Sequence, residues 1–270
     1  MQGCLVRPPR PQFADAPLAN KFKSTRWMLA RALSLLIAPG VISACNRWVA
    51  EHMAEFRFLG HNCIRIKARE AVILTDPVDR ITGYAMSKQT ADIVTLSHKH
   101  QGHTNLNGVK PEFRVIDGPG EYEMHDVFIT GIRTYHDTEN GKTRGYNTIY
   151  LFEVEGMRIC HLGDLGHPLT AEQTESLEDC DILLVPAGGG DIISPEQAAE
   201  VISQLGPKVV IPMQFATESG DTELGGLDRF CKTLGVPVPP LEEKLVIRQS
   251  DLTDVMRLVA LAPESEAVKR

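Results

Sequence analysis

The chain has 270 residues, 43% of them hydrophobic and 23% charged, with a formal net charge of −7. That is ordinary globular material, and from Met53 onward there is enough of it for one domain with a large core. The acidic balance argues against a general nucleic-acid grip, which wants a basic face, and six cysteines without a CxxC pair give no disulfide framework.

Residues 1–20 are rich in proline and lack periodicity. Lys21, Lys23 and Arg26 then precede Trp27–Ala44, an apolar stretch broken by Arg31 and Pro39-Gly40 and too short for a membrane span. Ile42-Ser-Ala-Cys45 has the form of a lipoprotein cleavage site, which would anchor the mature protein through Cys45. Against this, the basic region starts far from the N-terminus and Arg31 lies inside the apolar core. Residues 1–52 therefore read first as an extension, disordered or upstream of a true start at Met53, on a cytoplasmic protein.

From Met53 the pattern is strand-rich. Phe56–Leu59, Cys63–Ala68 and Val72–Thr75 predict an antiparallel start closed by Asp76-Pro77. Ala91–Leu96 is a buried strand, followed by Arg114–Ile116, a turn at Asp117–Gly120 and a strand at Val127–Thr134. Thr148–Val154 and Met157–Leu162 flank Glu155-Gly156 as a hairpin. Helices are predicted over Thr170–Leu177, Ser194–Leu205 and Leu224–Leu234, the second opening on Ser194 as N-cap, Pro195 at the first helical position and Gln197 at the third. Strands Ile182–Val185 and Val209–Pro212 separate them, and Lys244–Ile247 and Met256–Leu261 are short strands near the end. Sheets early and mixed strand and helix later suit a single α/β domain of four layers, an αβ/βα sandwich.

The chemistry concentrates at Ser97-His-Lys-His-Gln-Gly-His103, directly after Ala91–Leu96. Strand alternation points His98 and His100 the same way, and a turn at Gln101-Gly102 would swing His103 back towards them. Converging neutral imidazoles suit a zinc-type ion. Two later runs end similarly, one at His136 and one at Asp164. Alone, His136 is as easily a loop histidine as a ligand, and Asp164 is more often a turn or N-cap residue. With the triplet, both become ligand candidates held on a rigid sheet. His61-Asn62 reads as a turn with the pocket as its second role, His161 as structural, and His167 as either a substrate or metal contact or a plain surface histidine. Gly188-Gly-Gly190 reads as a flexible connection, and the chain has no Gly-x-Ser-x-Gly elbow.

Taken with Phe58-Leu-Gly-His-Asn62, Leu74-Thr-Asp-Pro77, Leu162-Gly-Asp-Leu-Gly-His167 and Val209–Phe215, these motifs resemble the metallo-β-lactamase fold superfamily, in particular its small UlaG-like hydrolases, from about Met53 to the C-terminus. The resemblance implies His98, His100 and His136 as ligands of a first ion, Asp164 as a bridging carboxylate and His103 as a ligand of a second. Two positions depart from the family: its motif carboxylate falls on Gly102, and its last histidine falls on Gln214, whose amide oxygen is a poor zinc ligand. A single ion, Zn²⁺ with Mn²⁺ or Fe²⁺ as alternatives, is the expected state, with two as the second possibility. The expected activity is hydrolysis of an ester, lactone, thioester or phosphodiester in a small molecule by metal-activated water, with Asp164, His103 and His167 as catalytic candidates. A catalytically impaired binding relative and a nucleic-acid-processing hydrolase are the alternatives. A sugar-phosphate lactone is one candidate substrate, although no basic residue in the sequence can be tied to phosphate.

Overall fold

A computed structural model describes residues 53–264 and 266–267. The expected extension over 1–52, with its reading of Cys45 as a lipid anchor, lies outside the described residues. In chain order the strands are β1 (Ala54–Gly60), β2 (Cys63–Lys67), β3 (Val72–Thr75), β4 (Tyr84–Ala85), β5 (Ile93–Thr95), β6 (Arg114–Ile116), β7 (Gly120–Met124), β8 (Val127–Tyr135) and β9 (Tyr146–Val154). They continue as β10 (Met157–His161), β11 (Ile182–Pro186), β12 (Val209–Met213), β13 (Leu241–Glu242), β14 (Leu245–Ile247), β15 (Arg257–Leu258), β16 (Ala260–Leu261) and β17 (Glu266–Ala267). The helices are α1 (Ala171–Ser176), α2 (Pro195–Leu205) and α3 (Leu227–Leu234).

Two mixed sheets form the frame. The first has six strands in the order β14-β1-β2-β3-β5-β6, and the second seven, in the order β15-β12-β11-β10-β9-β8-β7. In each, antiparallel pairing gives way to parallel pairing part-way across, at β3–β5 and at β10–β11. Every residue of β11 and β12 is buried, as expected of parallel strands covered on both faces. The main core gathers Phe56, Phe58 and Ile66 of the first sheet with Ile149, Phe152 and Ile159 of the second, and includes Val201 of α2 and Phe230 of α3. Each such side chain contributes about 1.5–3 kcal/mol when fully buried.

A smaller cluster, including Leu59, Leu74, Tyr84, Val94 and Val109, lines the first sheet's other face. The segment between β3 and β6 supplies much of it with 3₁₀ turns at Arg80–Thr82, Gln101–His103 and Leu106–Gly108 in place of long helices. The architecture is the expected αβ/βα sandwich. The helix over 224–234 is shorter at its start than predicted, because Leu224, Gly225 and Gly226 lie before the first helical residue, Leu227. Strand β7 was not predicted. Its sequence, Gly-Glu-Tyr-Glu-Met, has little apolar content, and it forms as a sheet edge on β8. Among the described residues, no helix is long and apolar enough to cross a membrane.

The frame delivers polar residues from six strand ends. His61-Asn62 follows β1, Asp76 follows β3, and Ser97-His98 lies just beyond β5. His136 follows β8, Asp164 lies past β10, and Gln214 follows β12.

Candidate metal centre

Asp164 is the hub. His98 Nε2, His103 Nε2 and His136 Nε2 lie 3.6, 3.6 and 3.5 Å from its Oδ2. All three nitrogens are buried and have no hydrogen-bond partner. Leaving several imidazole nitrogens unpaired inside a protein is costly. The spacing suits a shared cation instead, since two ligand atoms each about 2.0–2.2 Å from a tetrahedral ion sit roughly 3.4 Å apart. His98, His136 and Asp164 form one group whose ligand atoms all lie within 4.8 Å of one another, and His61, His103 and Asp164 form another.

The supporting shell fixes which atoms face the centre. Ser97 Oγ lies 3.1 Å from His98 Nδ1, so Nε2 points inward. Asn147, fully buried, accepts from the Asp164 backbone N–H at 2.9 Å and donates to the Leu162 carbonyl at 2.9 Å. Asp164 Oδ1 accepts from Asn62 Nδ2 at 2.9 Å and from Gln214 Nε2 at 2.8 Å. Asn62 also donates to Asp76 Oδ2 at 2.9 Å, and Asp76 Oδ1 accepts from the Ser97 backbone N–H at 2.7 Å. His161 is fully buried, with Nε2 2.9 Å from the Asn62 carbonyl, the structural role read from sequence.

Electrostatics match the geometry. Burial opposes charge on Asp164, but His103, His98 and His61 outweigh it and hold its carboxyl well below the usual carboxylate range. Burial pushes His98 down to about 4 and also lowers His136, so both are neutral and ligand-competent at neutral pH. His103 goes the other way. Burial opposes its charge, but Asp164 and Asp76 prevail and raise it to about 10 in the metal-free protein.

Three of the expected site residues are placed differently from the converging groups. His100 does not join either converging group among the described residues. Its ring is exposed, 5.0 Å between centroids from that of His103, and Nδ1 accepts from the Gly102 backbone N–H at 3.1 Å. Gln214 presents its amide nitrogen, not its oxygen, to Asp164, because an oxygen there would face the carboxylate with no proton between them. The structure also leaves His167 outside the cluster. Its Nε2 accepts from the Tyr135 backbone N–H at 3.1 Å and its Nδ1 is 2.7 Å from the Pro168 carbonyl, so the ring braces the loop after β8 and has no free nitrogen for proton transfer.

His61 combines the two roles weighed for it: it occupies the expected turn, with φ +55°, and its ring also faces the cluster, with Nδ1 2.9 Å from Asp221 Oδ1. Asp76, Asn147 and Asp221 were not singled out. Asp76 carried the signal already used for Asp164, a carboxylate where a strand ends. Asn147 and Asp221 carried none, since their roles depend on contacts 17 and 160 residues away. A cleft of about 370 Å³ adjoins His98 and is lined by Lys99, Arg133, Arg144 and Tyr146, with Asp117 beside them. Arg133 lies over the Tyr146 ring, 4.8 Å from its centroid, and Arg144 also pairs with Asp191. The sequence alone did not bring these three cationic side chains together at one cleft.

The family described as the β-lactamase superfamily domain matches residues 55–214, more than half of the chain and every strand end of the cluster. The chain belongs to the β-lactamase superfamily. A solved structure from Thermotoga maritima, assigned to the Zn-dependent hydrolases of the metallo-β-lactamase superfamily, is 36% identical, with a TM-score of 0.63 over 78% of this chain and 98% of that one. A protein named UPF0173 metal-dependent hydrolase from Thermococcus onnurineus is 26% identical over 61% of this chain and 86% of its own length. A UPF0173 protein from Pyrococcus abyssi is likewise 26% identical, over 62% of this chain and 85% of its own length. Relatives of this superfamily member are named metal-dependent hydrolases, and its own His/Asp groups supply donors suited to a divalent cation.

Proposed function

We propose that this protein hydrolyses an ester, lactone, thioester or phosphodiester bond in a small anionic substrate at a cation held by His98, His136 and Asp164. The observation that carries the reading is the convergence of unpartnered, buried imidazole nitrogens on Asp164 Oδ2. Three protein ligands with a fourth position left open is the pattern of catalytic rather than structural sites. A divalent cation, when bound, polarises a carbonyl or phosphoryl oxygen and makes its water acidic enough to react near neutral pH.

The chain's own residues do the rest. Ser97 fixes the His98 ring, and Asn62 and Gln214 occupy Asp164 Oδ1 so that Oδ2 is the free ligand atom. His103 Nε2 lies on the same oxygen without a hydrogen-bond partner, placed to carry a proton between the nucleophile and the leaving group. Lys99, Arg133 and Arg144 give the adjoining cleft its preference for an anion, and the Tyr146 ring offers an apolar wall.

The test is hydrolysis by metal-loaded full-length protein of matched ester and lactone pairs that differ only in carrying a phosphate or carboxylate. The charged member should have the higher kcat/KM. Arg133→Ala and Lys99→Ala should raise KM for it with little change in kcat, the signature of lost uniform binding. His98→Ala should abolish turnover on every substrate. Equal rates on charged and neutral partners would remove the anionic assignment, and full activity in His98→Ala would remove the metal site.

A further inference from the structure

We propose that this protein is built for one cation, and that the side-chain amide of Gln214 occupies the place a second would take. The inference rests on the reading of the first site given above and concerns the neighbouring group, His61, His103 and Asp164, whose ligand atoms lie within 4.8 Å of one another. In that pocket Gln214 Nε2 lies 2.8 Å from Asp164 Oδ1 and 3.2 Å from His61 Nε2. An NH₂ group has two hydrogens to give, and here each finds an acceptor.

The acceptor role of His61 Nε2 follows from the other side of the ring, where Nδ1 carries its hydrogen to Asp221 Oδ1 at 2.9 Å. Asp164 Oδ1 already receives Asn62 Nδ2 at 2.9 Å beside the Gln214 amide. Only Oδ2 remains open. The amide is also held in place. Gln214 is 2% exposed, and its backbone N–H donates to the His61 carbonyl at 2.8 Å, tying together the two loops that present the pair. Turning the amide oxygen inward for a second ion would strip donors from two acceptors. At the position where a carboxylate could have offset that loss the chain has Gly102, and a Cβ there would lie 3.1 Å from His100 Nδ1. A neutral amide thus bridges Asp164 and His61 as a cation would, while adding no charge.

The experiment counts ions. Full-length protein is stripped with chelator, reloaded with excess Co²⁺, freed of unbound metal and analysed by elemental composition and visible d–d absorbance. One ion per wild-type chain is expected. Gln214→Glu, of the same length but with a carboxylate in place of the donor, should hold two, and adding His61→Ala to it should return the count to one. Two ions in the wild type would overturn the proposal. So would one ion in a Gln214→Glu protein that melts cooperatively. Zero ions in the wild type would overturn the first site and this inference together, whereas one ion in both proteins would overturn this inference alone. Should Gln214→Glu fail to fold, Co²⁺ titration of the wild type decides the matter. Absorbance that stops rising at one equivalent supports the proposal, and a further rise to two equivalents overturns it.

Discussion

Asp137 shows how a single side chain shapes the ground next to the centre. It follows His136 and is buried, and its two oxygens accept four backbone N–H groups, from Glu139, Gly141, Thr143 and Arg144, at 2.7–3.0 Å. These amides, Arg144's foremost, bring its pKa to about 2. A folded-state pKa below the unfolded value means stability that is present above about pH 4 and is lost as pH falls towards 2. Asp137→Asn offers one acceptor oxygen for four donors. It should lower the melting temperature by several degrees at pH 7, with the deficit shrinking as pH approaches 2, followed by thermal denaturation across that range. An undiminished deficit at pH 2 would show that the carboxylate charge is not what organises the loop.

Ser97 permits a second prediction at this scale. Its hydroxyl sets the His98 ring, and residues that orient a ligand from behind typically change metal affinity by 10–100-fold when removed. Ser97→Ala should weaken Zn²⁺ binding by roughly tenfold in a chelator-competition titration and leave the fold intact. His98, His136 and Asp164 stood out because each sets a metal-type side chain at or just past the end of an apolar run, and His103 because a turn at Gln101-Gly102 returns it to the same place. The direction each ring faces was not. His100 differs from His98 by two positions and a Gly102 N–H, and only coordinates reveal that hydrogen bond.

At the scale of elements, the decisive feature is that strand ends meet loops with little room to spare. The β8 and β10 ends touch through Gly166, whose backbone N–H donates to the Tyr135 carbonyl at 2.9 Å. A Cβ on Gly166 would lie 2.3 Å from Asp137 N and 2.4 Å from the His136 carbonyl carbon, both backbone atoms that cannot step aside. Gly166→Ala should therefore displace His136 from Asp164. The expected result is loss of bound metal in elemental analysis together with a lowered melting temperature. Retention of one tight ion would mean that His136 is dispensable as a ligand. The sequence announced this arrangement only in part. Apolar runs marked β5, β8 and β10 and the residues that leave them. At β1 and β3 the same rule points to His61 and Asp76, but a turn-prone Gly60-His61 reads first as a turn with the pocket second, and an Asp76-Pro77 pair reads as a loop closure. Local propensity describes the turn correctly and says nothing of what lies across it.

For the molecule as a whole, metal and protons compete for the same negative charge. In the metal-free protein Asp164 leans on a protonated His103, whose pKa stands near 10 because Asp164 and Asp76 outweigh the cost of its burial. A histidine raised above its unfolded value, about 6.5, contributes stability that is complete below pH 6.5 and is lost as pH rises towards 10. In the loaded protein a cation supplies that positive charge whatever the pH. Loading also stabilises by mass action, by about 4 kcal/mol where free metal stands a thousandfold above its dissociation constant. The melting temperature of chelator-treated protein should thus lie below that of loaded protein, and the gap should widen steadily between pH 6.5 and pH 9.5 in scans at fixed free-metal concentration. Hydroxide competition for free metal would narrow the gap, so widening is a demanding outcome. A gap that is constant or shrinks across that window would show that Asp164 does not depend on His103 when the cation is absent.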